Sequence, residues 1–286
     1  MGVVEIKNKH LKVGASTLGS ELMYITTREG TELLWNGDNS VWSFRAPVLF
    51  PICGGLKEGK YSHNGNFYSL SKHGFALYSE FEPKKLNDTA MEFVLYSSEE
   101  TKKIYPFDFC FKIRYELLEN KLKICNEVKN LSEGEMYFSV GAHEGYICPE
   151  GIENYQLIFD KKETLDSFAL DGDILTNKAV RVIENEKSLP FKYDYFAVDA
   201  LVFKNVYFDK VTLAKLDGSK VLSVKFDKAE YFLIWTKPGA KYICLEPWCG
   251  VQDIEGSTFP IKDKEGIVTL EKDGVFTFTH TIECFL

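Results

Sequence analysis

Apolar and polar residues alternate with a period of two along most of the chain. FVLYSS (93–98), FDFCFKIRYELLE (107–119), KLKICNEVKN (121–130) and MYFSVGAH (136–143) follow one another across short polar breaks. The same texture returns in VTLAKL (211–216), VLSVKF (221–226), YFLIWT (231–236), KYICLEPW (241–248) and VFTFTHTIECF (275–285). Successive side chains of a strand point to opposite faces, so this alternation predicts half-buried β-strands. The breaks carry residues that tolerate tight turns: Glu119-Asn120, Asp217-Gly218, Lys237-Pro238-Gly239 and Asp273-Gly274. Short strands at regular spacing predict an all-β sandwich or barrel. No helical stripe of about 12 residues interrupts them, and there is no internal repeat. The least regular stretch is 160–197, where polar, turn-forming residues are expected to break up the strands. No linker composition or charge block marks a boundary, so residues 1–286 read as one domain.

Composition narrows the function classes. The 286 residues carry a net charge of −8 with both signs interspersed, which excludes the clustered basic face of a nucleic-acid binder. No run of about 18 apolar residues exists to span a membrane as a helix, and MGVVEIKNKHLKV lacks the apolar core of a signal peptide. Seven cysteines stand singly, at 53, 110, 125, 148, 244, 249 and 284. An odd number without a CxxC pair argues against structural zinc and suits reduced thiols in a cytoplasm. Aromatics are abundant, with 22 Phe, 15 Tyr and 4 Trp. They suit sheets and also suit a site that must hold the apolar face of a ligand.

Few residues are candidates for chemistry. Of five histidines, His10 lies in a charged segment and reads as surface. His63 precedes Asn64-Gly65 and reads as part of a hairpin turn. His280 alternates within VFTFTHTIECF and reads as a hydrogen-bonded or exposed strand residue. His73, in SKHGFA, and His143, in GAHEG, differ: glycines beside them admit unusual backbone angles or a close approach. Glu246 ends an apolar run before Pro247 and Trp248, where a carboxylate is costly unless paired or functional. Arg45, in VWSFRAPVLFP, is one of only four arginines, and Asp199, in FAVDALVF, is another charge among apolar neighbours. Each residue alone is as well read as structural; spacing does not say whether any of them meet.

Together these residues resemble the aldose 1-epimerase (galactose mutarotase-like) family, particularly its LacX-like branch. The ordered signatures are RAPVLFPICGGL (45–56), YSHNGNFYSLSKHGFA (61–76), SVGAHEGY (139–146), FAVDALVF (196–203) and CLEPWCGVQD (244–253). The resemblance implies a large antiparallel β-sandwich of the supersandwich type with a sugar cleft on one sheet. It assigns His143 as general acid, Glu246 as general base and His73 as the second active-site histidine. It places Arg45 and Asp199 on the sugar hydroxyls, and Trp248 is a candidate for stacking on the sugar's C–H face. EPWCG stands where the best-known members show Glu-Thr-Gln, and GAHEG where they show Asn-His-x-Tyr-Phe, so the choice of sugar does not carry over.

Interconverting anomers requires opening the sugar ring and closing it on the other carbonyl face. A carboxylate removes the C1 hydroxyl proton while an imidazolium supplies one to the ring oxygen, and the two are expected on opposite sides of the ring. No cofactor or metal is required, and the implied partner is a small-molecule sugar. Three alternatives remain open at this stage: a hexose-6-phosphate 1-epimerase, a non-catalytic carbohydrate-binding protein on the same fold, and a metal site built from His73, His143 and Glu246.

Overall fold

A computed structural model describes residues 2–285. The alternating segments form strands as expected, and the dominant element is one antiparallel sheet of 14 strands. Twelve of them run in the order Val140–Gly141, Tyr242–Cys249, Tyr231–Trp235, Leu201–Lys204, Tyr155–Asp171, Lys210–Lys215, Lys220–Phe226, Val275–Cys284, Lys121–Asn130, Phe109–Leu118, Ala90–Tyr96 and Glu82–Asn87, while Glu144–Ile147 pairs with Tyr242–Cys249 and Ile174–Pro190 with Tyr155–Asp171 off this path. A smaller sheet of Val3–Lys7, Leu11–Ser16 and Leu22–Thr27 stands apart from it. The only α-helix among the described residues is a single turn, Glu99–Lys102, capped by Ser98. Among the described residues no helix is long and apolar enough to cross a membrane.

Period-two burial is plain in Lys121–Asn130, where every second residue is buried and the rest are partly exposed. Of its buried side chains, Leu122, Ile124 and Val128 join one apolar cluster that runs from Ile6 to Cys284. The turns behave as their residues dictate. Asn64 and Gly65 both take positive φ (49° and 79°) between Lys60–His63 and Asn66–Ser69, the geometry a tight hairpin demands. Positive φ also occurs at Glu119, Gly218 and Asp273.

The 160–197 stretch departs from expectation. Instead of broken strands it holds a hairpin of two 17-residue strands, Tyr155–Asp171 and Ile174–Pro190. Beyond Phe159 both strands are largely exposed, and the register shifts four times between Ile158 and Leu170. A strand with little to bury on either face shows no apolar alternation, and each register shift would break whatever pattern remained.

Tyr242–Cys249 is the opposite case, with all eight residues buried. Ile243, Leu245 and Cys249 enter the main core. Tyr242, Cys244, Glu246 and Trp248 take the other face, under a layer of aromatic rings. Covered on both sides, the segment reads as a continuous apolar run, and its one carboxylate is held away from bulk water.

Candidate active site

The strand carrying Glu246 pairs with two short strands, Val140–Gly141 and Glu144–Ile147. Gly141 lies opposite Trp248 and Glu144 opposite Leu245, so His143 falls in the interruption between them, beside Glu246. The flanking glycines are needed for close approach. A Cβ on Gly141 would lie 2.5 Å from the Trp248 ring, and one on Gly145 would lie 2.8 Å from the Trp42 ring. His143 Nε2 stands 3.5 Å from Glu246 Oε2, with side-chain exposures of 9% and 2%. This answers why an ionisable ring ends an apolar strand: it meets a carboxylate from the next strand.

His73 arrives from a different part of the chain. It sits at φ 67°, followed by Gly74 at φ 78°, where a Cβ would strike the Phe50 carbonyl at 2.3 Å. The Gly54 N–H donates to His73 Nδ1 at 3.1 Å, which leaves the ring proton on Nε2. The His73 ring stands edge-on to His143 (centroids 5.3 Å, interplanar 81°) and to Trp248 (5.7 Å, 81°). Trp42 stacks on His143 at 5.3 Å and Trp235 meets it edge-on at 5.8 Å. These groups border a cleft of about 530 Å³, within the range of small-molecule sites.

Burial governs the electrostatics. It holds the Glu246 carboxyl well above the usual carboxylate range, reinforced by the Asp199 charge and partly offset by Lys72. It pushes the His143 imidazolium down to about 3, and Lys72 pushes in the same direction. His73 is likewise lowered well below an ordinary histidine by burial, His143 and Lys72. Burial thus disfavours the charged form of both members of the pair. Glu246 Oε2 and His143 Nδ1 are buried with no hydrogen-bond partner among the described residues. Such orphaned groups are rare in a closed core and are suited to a polar ligand.

Of the residues singled out in the sequence, His73, His143, Glu246, Asp199 and Trp248 all border this cleft. Trp248 is only 2% exposed and donates its indole N–H to the Ala142 carbonyl, so it forms the floor, while Trp42 and Trp235 present the accessible rings. Arg45 is not brought to the cleft. Its guanidinium lies against Gly37 and Met23, and its backbone N–H donates to Glu21. The cations that line the site are Lys72, 3.7 Å from Asp199 and 3.1 Å from Asp173, and Lys237. Sequence reading passed over Lys72, Trp42, Trp235 and Gln252. Lys72 adjoins His73, which was a signal; the indoles carried none, because nothing along the chain links 42 and 235 to 143.

Glu144, beside His143, pairs in the interior with His280 of the strand Val275–Cys284, His280 Nε2 to Glu144 Oε1 at 2.8 Å. This is the hydrogen-bonded strand histidine expected. For a cation, the donor atoms that converge belong to His143, Cys244 and Glu246, all within 4.8 Å of one another. Cys244 thus stands where the metal alternative put His73. Burial holds its thiol well above the ordinary range, so coordination would first have to displace a proton.

Comparison with known proteins adds the following. The model of the family described as aldose 1-epimerase matches residues 2–264. Protein LacX (chromosomal) of Lactococcus lactis subsp. lactis is 31% identical over 262 residues, covering 87% of this chain and 88% of the relative. A galactose mutarotase related enzyme from Lactobacillus acidophilus superposes with a TM-score of 0.93 at 29% identity, covering 100% of this chain and 98% of the other. A galactose mutarotase-like protein from Lactobacillus casei gives 0.93 at 25% identity, covering 99% and 100%.

Proposed function

The chain belongs to the aldose 1-epimerase family, and from that premise we propose that it interconverts the α and β anomers of a hexose. The observation that carries this reading is the buried His143–Glu246 contact of 3.5 Å at an aromatic-walled cleft. Sequence reasoning set acid and base on opposite sides of the sugar ring, but here they stand side by side. Adjacency suits the reaction, because the C1 hydroxyl oxygen and the ring oxygen are bonded to the same carbon. Glu246 takes the C1 hydroxyl proton while His143 delivers one to the ring oxygen. The O–H electron pair becomes the second bond of the carbonyl, and the pair of the C1–O5 bond leaves with the ring oxygen. Rotation about C1–C2 followed by the reverse steps closes the other anomer. No net proton is gained or lost.

With one proton shared by the pair, that proton reaches His143 across the 3.5 Å contact once sugar hydroxyls supply the hydrogen bonds that Glu246 Oε2 and His143 Nδ1 lack. Trp42 and Trp235 receive the C–H face of the ring, and Lys72, Asp199 and Gln252 hold its hydroxyls. Both cleft lysines are already engaged, Lys72 by Asp173 and Asp199 and Lys237 by the Val41 carbonyl. That favours an unphosphorylated hexose over its 6-phosphate, which needs free cationic donors.

Function then requires one proton on the pair, and the pair titrates as a unit. It gains a second proton only near the depressed histidine value of about 3 and loses its proton only near the raised carboxyl value. In the free enzyme, kcat/KM is therefore expected to stay level as pH falls through 6.5, the ordinary histidine value. A profile that drops by half at 6.5 would contradict this proton inventory.

Freshly dissolved α-anomers of common hexoses, with and without 6-phosphate, test the activity when followed by NMR. Exchange faster than in buffer is expected, for the free sugars first, and unchanged by EDTA. Sugar binding without acceleration would leave a carbohydrate-binding module. Activity abolished by EDTA and restored by one divalent ion would assign His143, Cys244 and Glu246 to a metal.

A further inference from the structure

Three chemically different donors converge beneath the cleft. A ring nitrogen of His143, the Cys244 sulfur and a Glu246 carboxyl oxygen all lie within 4.8 Å of one another. Cys244 and Glu246 sit at alternate positions of the strand Tyr242–Cys249 and so share a face, while His143 comes from the interruption of the neighbouring strand. The sheet fixes their spacing: Cys244 is 0% exposed and Glu246 1%. His143 Nε2 and Glu246 Oε2, 3.5 Å apart, are already separated by about the edge of a tetrahedron with bonds of roughly 2.0–2.2 Å, the zinc–nitrogen and zinc–oxygen range. The sulfur has to close on them by only about 1 Å to share one ion at a zinc–sulfur bond of about 2.3 Å. Glu246 Oε2 is buried without a hydrogen-bond partner. Anomer exchange has no use for Cys244, which packs with Trp35 and Tyr242 and does not border the sugar space.

We propose that His143, Cys244 and Glu246 bind a thiophilic divalent cation, with zinc the best fit, and that the bound ion turns the site off. The inference rests on the reading of His143 and Glu246 as the acid–base pair. Sulfur, imidazole and carboxylate together suit zinc, whereas magnesium and calcium call for oxygen ligands alone. The charges also balance. A thiolate and a carboxylate neutralise the divalent ion and the imidazole binds neutral, so burial penalises no net charge. Two protons leave on binding, one from Cys244 Sγ and the one shared by His143 and Glu246. Three donor-to-metal bonds form, and water takes the fourth position. The ion then holds the lone pairs with which Glu246 accepts the proton and His143 passes it on, so ring opening stops.

The test uses tag-free protein, stripped with EDTA and kept reduced, titrated with Zn²⁺ and with Co²⁺. Zinc is expected to bind as a single ion and to lower kcat in proportion to its occupancy, with recovery on adding EDTA. Cobalt should show the near-ultraviolet charge-transfer band of a thiolate ligand. Cys244→Ala, and Cys244→Val, which refills the space, should abolish that band. Each should weaken zinc by at least ~10²-fold, more than the loss of an outer-shell partner costs, and leave zinc-free turnover unchanged. A cobalt spectrum without the thiolate band, zinc that binds without lowering kcat, or inhibition that survives both variants overturns the proposal. Metal binding is read without sugar, so the two readings fail separately. The thiolate band in a protein without epimerase activity would keep the metal site and discard the catalytic reading. Active protein that never shows the band would do the reverse.

Discussion

Glu246→Gln is expected to lower kcat by at least ~10²-fold, the scale of a positioned general base, with little change in sugar affinity. The substitution is close to silent structurally. Burial already favours the neutral form of the Glu246 carboxyl, and a neutral amide of the same shape adds no charge there. What the amide cannot do is give up a proton to His143 and then accept one from the C1 hydroxyl. His143→Asn should show a comparable loss, because ring opening then has no proton donor at the ring oxygen. Anomer exchange measured by NMR at saturating sugar, with melting curves alongside, separates chemistry from folding. A Gln variant with full kcat and an unaltered melting curve would place the base elsewhere.

Lys264→Met is expected to destabilise the fold by about 3–5 kcal/mol, the usual consequence of orphaning a buried charge. Lys264 Nζ contacts both Asp253 oxygens, at 2.7 and 2.6 Å, with side-chain exposures of 4% and 1%. Asp253 also accepts the Lys57 N–H at 2.8 Å, and its backbone bonds to Gly55 and Leu175. Asp253 thus ties the segment after the Glu246 strand to Lys57 through its carboxylate and to Gly55 and the tip of the long hairpin through its backbone. For a chain of this size the loss corresponds to a fall in Tm of roughly 10 °C, read by circular dichroism. Gln252, next to Asp253, borders the cleft, so activity should fall with stability. Lys264→Met with Asp253→Leu should recover part of the loss, since no charge is then left buried without its partner. A single variant melting within about 2 °C of the parent would show the pair contributes little.

Much of this protein is legible in its sequence. Alternation located the strands because most have one wet face, and Asn64-Gly65 and Asp273-Gly274 located turns because few other residues accept positive φ. The long hairpin was missed for the same reason in reverse: exposed on both faces, it has no alternation to show. At the site, residue type and motif order singled out His73, His143, Glu246, Asp199 and Trp248, since a charge or imidazole among apolar strand residues is conspicuous in one dimension. Arg45 was equally conspicuous, yet it packs away from the cleft, because an anomalous residue signals a special environment without saying which one.

Residue chemistry and local pattern thus determined the all-β class, the turns and the set of candidate groups. Only the tertiary structure decided which of them meet. Pairing of the 140–147 strands with Tyr242–Cys249 brings His143 to within 3.5 Å of Glu246, a sequence separation that no spacing rule spans. It decided that His143 and Glu246 are neighbours, that Lys72 and Lys237 rather than Arg45 line the cleft, and that Trp42 and Trp235 form the accessible walls. It also set which charged forms burial disfavours. Charge state depends on how much water and which charges surround a group, and those are properties of packing that a chain acquires only when distant segments close around it.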